Sequence, residues 1–252
     1  MKAHYTANYI INPTHNVTVD LIGAGGTGSQ MLQSLTRIDY ALFKLGHPGL
    51  HVRVFDDDIV TDANIGRQLF SPSDIGRNKA EVLVTRANDF LGNDWEAVPR
   101  LYGYGEGSCA NITISCVDNV RSRIEIGKHV RCCKNSSYDQ EHPYYWMDFG
   151  NAEHTGQVII GTIGKVSQPK CDHETVEKLP CVDEVFDLKK VKDEDSGPSC
   201  SLAEALTKQD LFVNSTLCQI GSAILWKLFN GMMKTRGAYV NVDMMQVCPI
   251  KV

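Results

Sequence analysis

The stretch VTVDLIGAGGTGSQ, residues 17–30, decides the fold of this chain. Its first six residues are mostly β-branched or apolar, which predicts a buried strand at 17–22. Four glycines follow directly: Gly23, Gly25, Gly26 and Gly28. Glycines permit a tight turn, and the helix that follows would present free N–H groups to a phosphate. The stretch therefore predicts a nucleotide-binding turn, with a tight turn that holds no ligand as the alternative.

Working outward from this turn, segments typical of strands and helices alternate through the first half of the chain. The predicted strands are 17–22, 51–55, 112–117, 144–149 and 157–163, and the predicted helices are 27–45 and 74–90. Such alternation favours an α/β Rossmann-like fold, in which a mostly parallel central sheet has helices on both faces. We expect antiparallel strands toward the C-terminus.

The second half of the chain begins with a segment that has no clear periodicity. We interpret 164–209 as a long crossover loop or insertion, because long connections without a pattern are usually functional or disordered. An amphipathic helix is predicted at 210–230, since apolar residues recur there every three or four positions. One or two strands at 238–252 would close the sheet. We expect one domain over 1–252, with 1–163 as its nucleotide-binding core and 210–252 as its closing elements.

Three aspartates follow the second predicted strand. A carboxylate at this position can accept hydrogen bonds from ribose hydroxyls, and Asp56 is the candidate. Asp57 and Asp58 crowd the same place, and like charges in a row are costly unless a cation or solvent compensates them. We expect one of the three to face a nucleotide.

The segment NIGRQLFSPSDIGRNK, residues 64–79, favours a triphosphate over a dinucleotide. Arg67 can hold phosphate oxygens in a fork, and Lys79 supplies a point charge. Together they would stabilise the charge that develops on departing pyrophosphate. Hydride transfer has no need of this pair of cations near the glycine turn.

The third predicted strand ends in Asp118 and Asn119, followed by Arg121 and Arg123. A carboxylate at the carboxyl end of a parallel strand lies beside the ligand crevice. Asp118 could hold Mg²⁺, which prefers carboxylate and phosphate oxygens. The alternative for Asp118 and Asn119 is a helix cap, because both residue types are good caps.

Taken in order, these motifs resemble those of the ThiF/MoeB/HesA family of ubiquitin-activating-type enzymes. The matching motifs are Gly23–Gly28, Asp56–Val60, Asn64–Gln68, Ile75–Lys79 and Asp118–Arg123. The later segment GPSCSLAEALTKQDLFVNSTL, residues 197–217, is more specifically similar to the ThiF-like members of PRTRC systems, which occur in bacterial mobile-element cassettes beside a ubiquitin-like protein.

The resemblance implies binding of ATP with Mg²⁺ and adenylation of the C-terminal glycine carboxylate of a small ubiquitin-like or sulfur-carrier protein. It assigns Asp56 to the ribose, Asp118 to Mg²⁺, and Arg67 and Lys79 to catalysis on the phosphates. The other residues that it brings to the nucleotide are Asp58, Asn64, Gln68, Asn119 and Arg123. It also implies a homodimer.

The sequence departs from this family in its cysteines and at its N-terminus. Many relatives hold a structural zinc with two Cys-x-x-Cys pairs, which this chain lacks; Cys171, His173, Cys181 and Cys200 are an irregular substitute set, so we do not expect zinc. If a thioester forms, Cys200 is the first candidate nucleophile and Cys181 the second. No arginine precedes Arg37, so a contact that some relatives make across the dimer would fall to Lys2 or protonated His4, or be missing.

Composition narrows the partners and the compartment. The 252 residues carry a net charge of −5, whereas a duplex-binding protein normally shows a basic excess, so we do not expect nucleic acid as a partner. No apolar run is long enough to span a bilayer and no signal peptide is evident. Nine cysteines without a disulfide spacing pattern favour a reducing cytoplasm.

Besides a catalytically idle scaffold that keeps the fold to bind partners, two other functions remain open from the sequence. One is adenylation of a carbonyl on a tRNA base, as in one branch of the family, which the acidic charge balance disfavours. The other is an NAD(P)-binding oxidoreductase, for which only the generic glycine fingerprint speaks.

Overall fold

The computed structural model describes residues 2–103, 109–133, 139–172, 174–190 and 209–252. Its strands are β1 His4–Tyr5, β2 Val17–Ile22, β3 Leu50–Phe55, β4 Glu96–Val98, β5 Ile112–Ser115, β6 Tyr145–Asn151, β7 Thr155–Thr162, β8 Met232–Met233, β9 Thr235–Asn241 and β10 Gln246–Lys251. Its α-helices are α1 Asn8–Ile11, α2 Gly26–Lys44, α3 Lys79–Leu91, α4 Val120–Cys132, α5 Val182–Val185 and α6 Val213–Phe229. Single 3₁₀ turns lie at Asp62–Asn64, Pro72–Asp74, Asp139–Glu141 and Leu188–Lys190.

Within the described residues, eight strands form one sheet in the order β10-β9-β7-β6-β5-β2-β3-β4. Neighbouring strands from β4 to β6 run parallel, whereas the pairs β6–β7, β7–β9 and β9–β10 are antiparallel. The short strands β1 and β8 pair separately. The α/β Rossmann-like prediction, including antiparallel strands toward the C-terminus, is confirmed.

Helices cover both faces of this sheet. On one face α2 lies between α3 and α6, and their apolar side chains share one large core with the sheet. On the other face α4 and α5 enclose a smaller cluster around Trp146, Phe55 and Ile126. The predicted amphipathic stripe of α6 is confirmed, because Val213, Leu217 and other members of the stripe are buried.

Helix α3 begins five residues later than the sequence pattern predicts. Pro72–Asp74 forms a separate 3₁₀ turn, and Gly76 then adopts a left-handed conformation with φ of +87°. Asn78 caps α3 by accepting a hydrogen bond from the backbone N–H of Glu81 (3.1 Å). The helical prediction over 74–90 was wrong at its start, and the shift makes Lys79 the first residue of the helix.

The segment 164–190 has more structure than a crossover loop without a pattern. It contains α5, and Leu179 exchanges hydrogen bonds with Thr162 at the edge of β7. Thr175 forms a bridge with Ala3 near the N-terminus. This part of the segment therefore packs against the sheet, while 191–208 lies outside the described residues.

Cys109 and Cys133 are joined in a disulfide between the residues before β5 and the end of α4. The sequence spacing does not predict this pairing, because 24 positions separate the two residues and the fold alone brings them together. In the part of the chain that the structure describes, the helices are too short or too polar to cross a membrane.

Candidate functional site

The carboxyl ends of β2, β3 and β5 lie side by side at one end of the strands, in the interior of the sheet. The strand order reverses here, because β3 lies on one side of β2 and β5 lies on the other. In such sheets ligands bind in the crevice outside these strand ends. The backbone N–H of Gly23, after β2, donates to the carbonyl of Phe55 at 2.9 Å. The N–H of Cys116, after β5, donates to the carbonyl of Ile22 at 2.8 Å. The three strand ends are thus locked side by side.

The turn after β2 requires glycine at defined positions. Gly23 has φ of +89°, a left-handed conformation that side chains disfavour. A Cβ at Gly28 would overlap the carbonyl oxygen of Gly23, and one at Gly26 would lie 2.6 Å from Nδ2 of Asn214. At Gly25 the nearest atom to such a Cβ is Nε2 of Gln68 at 3.9 Å, so the turn is open above this residue. The turn places the N-terminus of α2 at the crevice, as a phosphate site requires.

Asp56 lies beside this turn and is tied to it. Its Oδ2 accepts a hydrogen bond from the N–H of Ala24 at 2.6 Å, and its Oδ1 accepts one from the N–H of Asp58 at 2.9 Å. Burial raises the pKa of this carboxyl, and the hydrogen bond from Ala24 and the charge of Lys79 oppose that rise. The carboxylate predicted for the ribose is therefore held at the edge of the glycine turn.

Lys79 and Asp58 form an ion pair at the same edge. Nζ of Lys79 is 2.7 Å from Oδ2 of Asp58, and the side chain of Lys79 is buried whereas that of Asp58 is exposed. The backbone N–H of Lys79 also donates to the carbonyl of Asp58 at 3.0 Å. The structure places both predicted residues at the site, with the acid holding the lysine.

Arg67 and Gln68 bring unpaired buried atoms to the site. Nε of Arg67 and Oε1 of Gln68 are buried and make no hydrogen bond among the described residues. Burial lowers the pKa of the Arg67 guanidinium, and the charge of Asp118 opposes this. Buried polar atoms normally find partners, so these two unpaired atoms beside the glycine turn are candidates to contact a polar ligand.

Asn64 has a structural contact in this segment. Its Oδ1 accepts hydrogen bonds from the N–H and Oγ1 of Thr61, which cap the 3₁₀ turn Asp62–Asn64. The backbone carbonyl of Asn64 accepts a hydrogen bond from the N–H of Gln68 at 3.0 Å. Asn64 thus shapes the backbone that carries Arg67 and Gln68, and its amide nitrogen is the atom suited to a phosphate.

Asp118 and Asn119 follow β5. Asn119 caps α4 by accepting a hydrogen bond from the N–H of Ser122 at 2.8 Å, and its Nδ2 donates to Oδ1 of Asp118 at 3.2 Å. The alternative interpretation as a cap therefore holds for Asn119. Asp118 itself is exposed at the crevice and within electrostatic reach of Arg67, where an oxygen ligand for Mg²⁺ would be needed.

Arg123 is directed into the protein, although the sequence motif includes it among the nucleotide ligands. Its Nε donates to both carboxylate oxygens of Asp148, at 3.2 and 3.3 Å, and its Nη2 donates to the carbonyls of Val117 and Phe149. Burial raises the pKa of Asp148 to about 6, although Arg123 and Ser115 oppose the rise. These contacts make Arg123 a structural residue and argue against its predicted contact with the nucleotide.

The cysteine predictions have a mixed outcome. Cys181 is buried, donates through Sγ to the carbonyl of Thr162, and has a pKa raised to about 12 by burial. A nucleophilic thiolate needs exposure and a low pKa, so the second candidate nucleophile was wrong. Cys200, the first candidate, lies outside the described residues, as does His173.

Among the described residues, the sulfur and nitrogen ligand types come together elsewhere. Cys109, Cys133 and His129 have side-chain atoms within 4.8 Å of one another. In this structure the two sulfurs are bonded to each other. Of the irregular zinc set named from the sequence, Cys200 and His173 lie outside the described residues, and Cys181 donates to the carbonyl of Thr162.

His4 does not supply a cation to a second copy of the chain. It is fully buried and contacts the hydroxyl of Tyr145 at 3.0 Å and the carbonyl of Val176 at 2.7 Å. Burial lowers its pKa, which favours the neutral ring. The option of a protonated His4 was therefore wrong, and Lys2 pairs with Glu174 at 3.0 Å.

Sequence reasoning missed two residues beside the turn. Asn214, at the start of α6, accepts a hydrogen bond from Oγ1 of Thr27 at 2.9 Å, and Gln209 accepts one from Nη1 of Arg67 at 3.0 Å. Both fall in the stretch 197–217 that carries the closer resemblance, which was the available signal.

This strand order and glycine turn, with a buried lysine and a partly unpaired arginine at the crevice, define a Rossmann-like α/β protein with a candidate anion site at the turn. The family comparison is more specific. The chain belongs to the ThiF family, whose model matches residues 12–246.

Curated relatives agree with this assignment over part of the chain. Ubiquitin-like modifier-activating enzyme 5 of Aedes aegypti is 28% identical over 127 residues, which are 43% of this chain and 30% of that protein. Ubiquitin-activating enzyme E1 1 of Candida albicans is 36% identical over 130 residues, 46% of this chain and 12% of that protein. The matched region spans a third or less of these relatives' length.

Solved structures share the fold over nearly the whole chain. Escherichia coli MccB in complex with MccA matches with a TM-score of 0.59 and 16% identity, covering 94% of this chain and 64% of that chain. A second structure of E. coli MccB gives a TM-score of 0.57 and 15% identity, with 94% and 62% coverage. At this identity the likeness concerns the fold alone.

Proposed function

We propose that this protein uses ATP and Mg²⁺ to adenylate the C-terminal carboxylate of a small ubiquitin-like or sulfur-carrier protein. The observation that carries the proposal is the unpaired buried donor Nε of Arg67, beside an open glycine turn. A phosphate group offers acceptors for the guanidinium and for the N–H groups at the start of α2. Lys79 adds a second cation at the same edge.

Each polar residue then has a defined task. The glycine turn binds phosphate through its backbone, and Asp56 accepts hydrogen bonds from the ribose. Arg67 and Lys79 neutralise charge on the departing pyrophosphate, as preorganised cations do in other phosphate chemistry. Asp118 would hold Mg²⁺, which would supply positive charge to offset that of the phosphates.

The reaction balances without a further reactant. A carboxylate oxygen of the partner attacks the α-phosphorus of ATP and forms a carboxyl–phosphate anhydride bond. The bond between that phosphorus and the α,β-bridging oxygen breaks, and pyrophosphate leaves with the electron pair. Lys79 exchanges Asp58 for a phosphate oxygen during binding, because a more highly charged acceptor is the better partner.

The class of partner is supported by the relatives. Two of them are named as activating enzymes for ubiquitin or ubiquitin-like modifiers, and the MccB structure contains MccA. For this chain we propose a partner protein with a C-terminal glycine. The chain itself would act as a cytoplasmic homodimer, in a system of the PRTRC kind. We also propose that residues 1–252 act as one adenylation domain, since α6 packs against α2 and β9 pairs with β7. A later thioester would use Cys200.

The test is ATP–pyrophosphate exchange that depends on the partner protein. We expect Asp118→Ala to reduce exchange roughly 100-fold or more, as loss of a group that stabilises transition-state charge typically does. Asp243→Ala is the matched control, because Asp243 is exposed in the β9–β10 turn and its removal changes the net charge equally. Full exchange by Asp118→Ala with Mg²⁺ present would contradict the assigned role.

The same preparation separates the two other functions. Saturable binding of NAD(H) without an effect of ATP would favour an oxidoreductase. A gel shift with tRNA at moderate salt, together with exchange that tRNA rather than a protein stimulates, would favour adenylation of a base.

A further inference from the structure

A chain of side-chain hydrogen bonds connects the glycine turn to Arg67 through the start of α6. Asn214 is buried, and its Oδ1 accepts hydrogen bonds from Oγ1 of Thr27 at 2.9 Å and from Nδ2 of Asn151. Its Nδ2 donates to Oε1 of Gln209 at 2.8 Å. Both ends of the Asn214 amide are therefore used, which fixes its orientation and that of Gln209.

Gln209 joins this chain to the arginine of the candidate site. Its Oε1 accepts a second hydrogen bond, from Nη1 of Arg67 at 3.0 Å. Nε of the same guanidinium is buried without a partner in the described part of the chain. Arg67 is thus held at one nitrogen by a neutral amide and remains incompletely bonded at another.

A neutral amide oxygen is a weaker acceptor for a guanidinium than a phosphate oxygen is, and a carboxylate would be much stronger. The amide can therefore hold Arg67 at the crevice and still yield it to an anion. Gln209 is anchored by Asn214, and Asn214 also accepts a hydrogen bond from Thr27 at the start of α2. The same hydrogen-bond network therefore reaches both Arg67 and the glycine turn.

We propose that Gln209, anchored by Asn214, is a positioning residue that holds Arg67 beside the glycine turn and competes with the outer phosphates of ATP for its guanidinium. This inference rests on the proposed function, since it requires Arg67 to bind phosphate. The inference adds to the proposed function a competitor for Arg67. It also adds a contact between Gln209, at the end of the crossover segment 164–209, and the nucleotide site.

The decisive variant is Gln209→Glu, tested by titration calorimetry with Mg–ATP and with AMP. The new carboxylate would retain Arg67, so ATP affinity should fall about tenfold, as expected for one charge-assisted hydrogen bond. AMP affinity should change less than about twofold, because AMP lacks the outer phosphates. Gln209→Ala removes the competitor and the hold together, and should change ATP affinity less than about threefold.

Two controls separate this effect from repulsion and from misfolding. Gln219→Glu adds the same charge on the exposed side of α6 and should leave ATP affinity unchanged. In an Arg67→Ala background, Gln209→Glu should lose most of its effect, because its action requires the arginine; such coupling is what a double-mutant cycle measures. Thermal unfolding of each variant checks that the fold is retained.

The outcomes distinguish the two proposals. If wild-type protein binds no ATP, the proposed function fails and this inference fails with it. If wild type binds ATP but Gln209→Glu behaves like Gln219→Glu, or weakens ATP equally with and without Arg67, only the positioning role is overturned.

Discussion

Arg67 and Arg123 both follow parallel strands of the same sheet, yet their surroundings differ. Arg123 directs Nε and Nη2 to a buried carboxylate and two carbonyls, so these donors are satisfied within the chain. Arg67 has one hydrogen bond to a neutral amide, and its buried Nε has no partner in the described residues. The guanidinium of Arg123 is therefore hydrogen-bonded within the protein, whereas that of Arg67 keeps a buried donor without a partner among the described residues.

Both arginines belong to the motifs that carry the family resemblance, but this difference makes Arg123 a structural residue and Arg67 a candidate ligand-binding residue. Removing a partner from a buried charge pair leaves an uncompensated charge and is strongly destabilising. Removing a buried cation that lacks a full set of partners relieves a desolvation cost instead. The two arginines should therefore respond to substitution in opposite ways, which the following variants test.

The largest expected effect is on stability, at Arg123. Replacing it with methionine leaves Asp148 buried without its cation, and we expect the free energy of unfolding to fall by about 3–5 kcal/mol. Urea unfolding followed by circular dichroism measures this loss. Arg121→Met, at an exposed position of α4, is the control and should change the free energy by less than about 0.5 kcal/mol. A loss below that level in Arg123→Met would remove the distinction between the two arginines.

The next effect is on activity, at Arg67. Arg67→Ala should slow partner-dependent ATP–pyrophosphate exchange about 10²–10³-fold, because a preorganised cation at the leaving group is lost. Its free energy of unfolding should stay equal or rise, since the guanidinium is incompletely paired. Arg37→Ala, on the exposed side of α2, is the control for charge. An inactive variant that is also severely destabilised would place Arg67 with Arg123 as a structural residue.

Much of the parallel half of the fold could be predicted from local pattern. Val17–Ile22 and the glycine turn were predictable because β-branched runs and glycines at a strand end have few alternative structures. The start of α3 was not, because Gly76 and Asn78 set it through turn and cap geometry that periodicity does not report. The positions of Arg67 and Lys79 near the crevice followed from the order of strands and motifs.

What could not be predicted depends on contacts between distant segments. Asp148 lies on β6, 25 positions after Arg123, and no motif spacing links the two residues. The sequence motif alone therefore makes Arg123 resemble a ligand contact. Gln209 and Asn214 reach the glycine turn only because α6 packs beside α2. The local sequence therefore predicted the strand ends. It could not predict which of the two guanidinium groups donates its hydrogen bonds to groups of the chain itself.

The smallest expected effect concerns the acid of the satisfied pair. Burial raises the pKa of Asp148 from its ordinary 3.8 to about 6, while Arg123 and the hydroxyl of Ser115 act against that rise. With a raised pKa the folded state favours the protonated carboxyl. Its contribution to stability is therefore fully present below pH 4 and is lost as the pH rises through about 6.

The comparison with Asp148→Asn isolates this group, because the amide stays neutral throughout. From pH 4 to pH 6.5, the free energy of unfolding of wild type minus that of the variant should fall, by up to about 3 kcal/mol. Urea unfolding at a series of pH values measures the difference, and other titrating groups cancel in it. If the difference rises with pH instead, the attraction of Arg123 outweighs burial and the pKa of Asp148 lies below its ordinary value. The pair would then be a net stabilising ion pair, and the contrast with Arg67 would be sharper still.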